Sequence, residues 1–181
     1  MSEKNSSINK QATQYLTFTL RDEGFAREIS KVREVLDVTT MTKIPRMPEY
    51  LSGVINLRGN VVPVMDLGLR LGMGSIEQTQ NTCIMIVELE LEAGMMEMGV
   101  LTDTVQMVLD LQAEDIESVP QMGTDLNTDF IKGMGRHGDD KFLIILDIDK
   151  VLASEGEAVT RDMGDNLKKA KEKNAEESIH A

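Results

Sequence analysis

The chain has 181 residues, room for one ordinary domain or two small ones, and 41% of them are hydrophobic, enough to build a packed core. Its 19 basic and 31 acidic residues give a net charge of -12, which repels phosphate backbones and anionic headgroups, so neither nucleic acid nor a membrane surface is expected as a partner. No apolar run approaches the roughly 20 residues that span a bilayer, and the opening MSEKNSSINKQAT lacks the apolar centre of a secretory signal, which points to a cytoplasmic protein without membrane insertion.

In chain order, residues 1–13 are polar and aperiodic and read as a flexible N-terminus. Gln14–Leu20 then alternates, with Leu16, Phe18 and Leu20 on one face and Tyr15, Thr17 and Thr19 on the other, the period of a half-buried strand. Further strands are predicted at Phe25–Ile29, Arg33–Val38, Val61–Met65, Cys83–Leu91, Met96–Leu101, Gln106–Leu111 and Phe142–Leu146. Pro63 removes a ladder donor from an otherwise apolar strand and predicts an edge or a bulge there. Cys83, the single cysteine, has no disulfide partner within the chain and reads as a small buried hydrophobe. From 154 to 181 charge and alanine dominate, so this tail is expected to be flexible, or helical over Asn166–Glu177, and the folded unit is 14–153.

That unit contains a weak internal repeat. QYLTFTL at 14–20 is echoed by CIMIVEL at 83–89, and Val32, Val35, Leu36 and Asp37 recur as Val105, Val108, Leu109 and Asp110. Tyr50-Leu51-Ser52-Gly53 matches Phe130-Ile131-Lys132-Gly133, and VVPVMDL, ending in Asp66-Leu67, matches FLIILDI, ending in Asp147-Ile148. Four matches in the same order, roughly 70–80 residues apart, predict two copies of one β module, about 14–75 and about 83–153, with exchange of strands between them an open alternative. Each copy alone is too small to bury much surface, so the two are expected to pack on one another and leave a groove between them.

Residues for catalysis are scarce. His137 sits in the turn-like GMGRHGDD and His180 lies near the end, neither with a Cys or His at metal-ligand spacing. GLRLGMG and GMGRHG lack the Lys-Ser/Thr of a phosphate loop and read as turns. Asp66 and Asp147 each end a strand before a short apolar-periodic run, the place of a helix cap rather than of an acid-base pair. No catalytic, cofactor-binding or metal-binding set is therefore expected. The 13 methionines suit adaptable packing, with Met65 and Met85 in the core and Met41, Met47, Met107 and Met134 divided between rim packing and partner contact.

The stretches QYLTFTL, EISKVREVLDV, the Ile44-Pro45 to Pro48 connection and above all YLSGVINLRGNVVPVMDL resemble a CheW-type coupling domain, and GVLTDTVQMVLDL, FIKGMGR and FLIILDIDKVL are similar to that family's second half. The resemblance implies a mainly β fold of two packed, five-stranded, Src-homology-3-like barrels forming one compact unit, with short helical turns and here a charged C-terminal tail. It implies no enzyme and no cofactor. It also implies a role as an adaptor, recruited to membrane-associated receptor arrays, that joins the cytoplasmic tips of methyl-accepting chemotaxis receptors to the regulatory domain of the histidine kinase CheA.

Positions that resemble the family's partner-contact sites are Val32, Glu34, Gly53, Arg58, Val105, Val108 and Gly133. For the three valines, strand core explains the residue type as well as surface contact does. Gly53 and Gly133 each follow an aromatic-aliphatic pair, where a positive backbone angle or close packing is the alternative to a partner. Arg58, at a turn, is the best placed for recognition, and with Glu34 it is expected to form a salt bridge on one surface. Against the adaptor stands a second reading, a small-molecule-binding or enzymatic β-barrel that uses the groove between the copies.

Overall fold

The computed structural model describes residues 12–91, 94–119, 130–138 and 140–152. The strands are β1 (Thr13–Leu20), β2 (Glu23–Glu28), β3 (Val32–Asp37), β4 (Leu51–Leu57), β5 (Asn60–Asp66), β6 (Cys83–Leu91), β7 (Gly94–Thr102), β8 (Thr104–Leu111), β9 (Ile116–Glu117), β10 (Ile131–His137) and β11 (Lys141–Leu146). One short helix, α1 (Leu67–Arg70), follows β5, and residues 148–152 form a helical turn after β11. The proposed tail and most of the N-terminal segment lie outside the described residues.

Two sheets carry the fold, one in the order β8-β1-β2-β11-β10-β9 and the other β3-β6-β7-β5-β4. Each combines a hairpin from one half of the sequence with strands from the other. The hairpin β1–β2 joins β8 by an antiparallel ladder and β11 by a parallel one, and β6–β7 joins β3 and β5 in the same way. Substituting β6 for β1, β7 for β2, β3 for β8, β5 for β11 and β4 for β10 turns the first five strands of one order into the other, with β9 left over, so the weak sequence repeat is a pseudo-twofold of the structure. The mainly β, Src-homology-3-like architecture is the expected one, but the expected barrels are open sheets, and one has six strands rather than five. Among the described residues no ladder joins β8 to β9 or β3 to β4.

Local chemistry explains the turns and caps. Arg21-Asp22 and Arg58-Gly59 each place two successive residues at positive φ, 50° and 67° in the first and 50° and 85° in the second, the twist that a two-residue hairpin needs. Asp66 accepts from the Leu69 N–H at 3.1 Å and caps α1, while Asp147 accepts from the Lys150 N–H at 3.1 Å at the helical turn. Both aspartates are therefore caps, at equivalent places in the repeat.

The main core lies between the sheets. Leu16, Phe18, Leu20 and Phe25 from one sheet meet Val64, Met65, Ile84, Ile86, Met98 and Val100 from the other, with Val151 and Leu152 of the last helical turn filling the end. Met85 belongs to the same core, and the rings of Phe18 and Phe25 stack at 5.8 Å. A smaller cluster of Tyr15, Ala26, Leu111, Leu143 and Ile145 fills the other face of the six-stranded sheet. Hence β1 is not half-buried: Tyr15 and Thr17, on the face expected to be wet, are 4% and 2% exposed. Thr17 stands where the β1–β8 register shifts, and its hydroxyl donates to the Met107 carbonyl at 3.0 Å and accepts the Met107 N–H at 3.1 Å, satisfying both groups at the bulge.

Some local expectations change. β4 and β10 were not foreseen as strands, and His137 closes β10 opposite Lys141 instead of lying in a turn. Cys83 is half-buried at the first residue of β6, its thiol donating to the Asn81 carbonyl at 3.3 Å, not inside the core. Pro63 lies on neither an edge nor a bulge: β5 runs between β4 and β7, and the parallel ladder to β7 begins only at Val64, one residue after the missing donor.

Candidate partner-binding surface

Glu34 stands on β3 and Arg58 at the tip of the β4–β5 hairpin. β3 and β4 are the two edges of the five-stranded sheet, so these residues come together only because the sheet curls. Arg58 Nη2 donates to Glu34 Oε2 at 2.9 Å, spanning the seam that no ladder closes. The turn is held from below by the Gly59 N–H, which donates to Asn56 Oδ1 at 2.9 Å. Arg58 is 69% exposed, so the pair is a surface feature with most of the guanidinium open to a partner.

Val32 and Val105 are half-buried and pack against the main core, whereas Val108 is 44% exposed on edge strand β8. Its repeat-mate Val35 is likewise exposed on edge strand β3. Gly53 and Gly133 are both buried at bulges, in β4 and β10. A Cβ on Gly53 would lie 2.7 Å from the Thr42 carbonyl oxygen, because Thr42 bridges Val54 across the β4 edge. A Cβ on Gly133 would lie 2.6 Å from Ile116 Cγ2, because β9 covers the β10 edge in the same way. Close packing against the flanking segments thus accounts for glycine at both. The structure brings Glu34 and Arg58 into contact, places Val32 and Val105 against one core, and leaves Gly53 and Gly133 beneath the strands that flank them.

An ion cluster missed by sequence reading is built around Arg27 and Asp149. Arg27 on β2 is 2% exposed and donates to Asp149 at 3.3 Å, while Lys31 donates to the other carboxylate oxygen at 2.8 Å. Burial pulls the Arg27 guanidinium below its ordinary pKa, opposed by the charge of Asp149. Burial also works against the Asp149 charge, but the hydrogen bonds and charges of Lys31 and Arg27 prevail and hold its carboxyl below the usual range. Nearby, Lys132 donates to Glu28 at 3.0 Å, and that hydrogen bond raises the ammonium pKa. A charged residue in an alternating strand normally marks a solvent-facing position, so nothing in the sequence singled out Arg27.

Among the described residues no group of three or more His, Cys, Asp or Glu side chains is arranged to hold a metal ion, and no helix is long and apolar enough to cross a membrane. A cleft of about 710 Å³ beside the five-stranded sheet is lined by Met41, Met47, Leu51, Leu69 and Ile76, with Lys43 and Glu49 also on it.

Comparison with known proteins agrees with this geometry. A family model described as the CheW-like domain matches residues 14–156. The chain is 34% identical over 157 residues to the chemotaxis protein CheW of Klebsiella aerogenes, covering 87% of this chain and 89% of that protein. It is 34% identical to the probable chemotaxis protein CheW of Rhizobium etli, over 74% of this chain and 84% of the other. The crystal structure of the scaffolding protein TtCheW from Thermoanaerobacter tengcongensis superposes with a TM-score of 0.69 at 33% identity, covering 78% of this chain and 88% of that one. A mainly β chain whose two halves exchange hairpins, matched along nearly its whole described length, belongs to the CheW-like family.

Proposed function

We propose that this protein is a chemotaxis adaptor: it has no catalytic role of its own and couples the cytoplasmic tips of methyl-accepting receptors to the regulatory domain of the kinase CheA. The observation that carries this is the salt bridge of Glu34 with Arg58, which sets an exposed polar pair on edge strand β3, where Val35 is also exposed. An exposed ion pair adds little to stability, but at an interface it orients the partner and penalises mismatched charge. Val32, Glu34, Arg58, Val105 and Val108 form the contact surface in this reading, with Gly53 and Gly133 supporting it from below.

Such a protein works in the cytoplasm and reaches the membrane only through receptor arrays. Co-sedimentation with a soluble receptor signalling-tip fragment and with the kinase regulatory domain, separately and together, tests the reading. A three-component complex is the expected result, and failure to bind either partner overturns it.

A further inference from the structure

Tyr50 and Phe130 hold equivalent places in the repeat, each immediately before a strand of the pseudo-symmetric pair, β4 in the five-stranded sheet and β10 in the six-stranded one. Their backbones are fixed alike. The Tyr50 carbonyl accepts the Asp66 N–H at 2.7 Å and the Phe130 carbonyl accepts the Asp147 N–H at 2.8 Å, so each ring is tied to the capping aspartate of its own copy. Both rings are half-buried against the main core. A single side chain reaches both, for the Arg70 guanidinium lies 5.7 Å from the Tyr50 ring centroid and 5.0 Å from that of Phe130. Here the two copies differ. Arg70 ends α1 in the first copy, whereas the equivalent place after Asp147 holds Val151, which is fully buried in the core.

A guanidinium is planar and weakly hydrated, so it gains by lying against aromatic faces, and more so where water is partly excluded. The Tyr50 contact stays within one sheet, because α1 follows β5 and Tyr50 precedes β4. The Phe130 contact crosses to the other sheet. The residues of the proposed contact surface are divided in the same way, with Val32, Glu34 and Arg58 on the five-stranded sheet and Val105 and Val108 on β8 of the six-stranded one. A partner that engages both sets reads the spacing between the sheets, and a spacing set before binding adds to affinity. We propose that Arg70 is a positioning residue of the adaptor: its contact with Phe130 fixes one sheet against the other and so aligns the two parts of the contact surface. The inference rests on the adaptor reading above.

The test joins a spectroscopic signature to a binding titration, both on the full chain. Nuclear magnetic resonance should find the Arg70 Nε–H and δ-methylene protons shifted upfield by the ring currents of the two aromatics, and Phe130→Leu should move them back. Resonances at ordinary arginine positions overturn the inference. In titrations with a soluble receptor signalling-tip fragment, well below the melting temperature, Arg70→Leu and Phe130→Leu should each weaken binding about fivefold or more. Arg70→Lys keeps a cation over the rings and should stay within about twofold. The two losses should not add when the substitutions are combined, because both break one contact. Should Phe130→Leu melt too low to titrate, Phe130→Met takes its place with the same expected loss. Unchanged tip binding in Arg70→Leu overturns the inference, and so does a loss that the Phe130 variant does not share, which would make Arg70 a direct contact of the partner. Failure of the unsubstituted protein to bind the tip overturns the adaptor reading itself and leaves the ring-current shifts in place, which separates the two failures.

Discussion

Glu34 and Arg58 meet at 2.9 Å across the two edges of a single five-stranded sheet, so their contact measures how far the sheet has curled toward a barrel without closing. Edge strands expose unpaired backbone groups, and a charged pair over the seam discourages indiscriminate strand addition while leaving the edge chemically marked.

Arg58→Ala should leave the melting temperature almost unchanged, because an exposed pair contributes only about 0.2–1 kcal/mol. The φ of 50° at this turn position strains arginine and alanine alike, so the substitution neither adds nor relieves backbone strain. Affinity for the receptor tip or the kinase domain should fall by an amount equivalent to about 2 kcal/mol or more, the loss expected when one member of a pair desolvated by a partner is truncated. Calorimetric melting beside a binding titration checks both parts.

Gly53→Ala and Gly133→Ala should both destabilise, and Gly53→Ala more. Its Cβ meets a backbone oxygen held by the Thr42–Val54 bridge, and φ there is 153°. The first obstacle at Gly133 is a methyl group of Ile116, which a rotamer change moves aside at a cost of about 1 kcal/mol. Denaturant midpoints of the two variants give the order.

Asp149→Asn should cost about 1–3 kcal/mol, because the buried Arg27 is left without the charged acceptor of its hydrogen bond. The same pair gives an acid limb with a defined sign. The folded Asp149 carboxyl titrates below its unfolded value, so its stabilisation is complete above the unfolded value, about pH 4, and is lost as pH falls through the lower folded value. Melting temperatures between pH 2 and 6 should fall less steeply for the variant than for the parent.

Removal of residues 155–181 should leave the fold and partner binding intact, because the tail sequence has no apolar periodicity and the core is already filled by Val151 and Leu152. The truncated chain should melt within about 2 °C of the full one. A drop of several degrees would make the tail a packed element.

Much of this architecture was legible because alternation and repetition are carried by side chains. Leu16, Phe18 and Leu20 declared their face, and Asp66 and Asp147 declared their caps. β4 and β10 were harder to see: Gly53, Gly133 and Gly135 interrupt the strand pattern, and they are there because the Thr42 carbonyl and the side chains of Ile116 and Leu111 leave no room for a Cβ. The burial of Tyr15 and Thr17 depends on curvature, which no local pattern encodes. Arg27 was missed because its partner Asp149 is far along the chain and only the parallel pairing of β2 with β11 brings them near. The Glu34–Arg58 contact was anticipated through family resemblance, since two edges of one sheet have no local reason to meet.

The most direct test of the adaptor account is kinase autophosphorylation in membranes bearing methyl-accepting receptors, with CheA present and this protein added by titration. The account predicts that receptor control of the kinase appears only with the protein, saturates as the protein is added, and is lost with Arg58→Ala. Receptor control of equal strength without the protein, or no effect of the protein at any concentration, would contradict it.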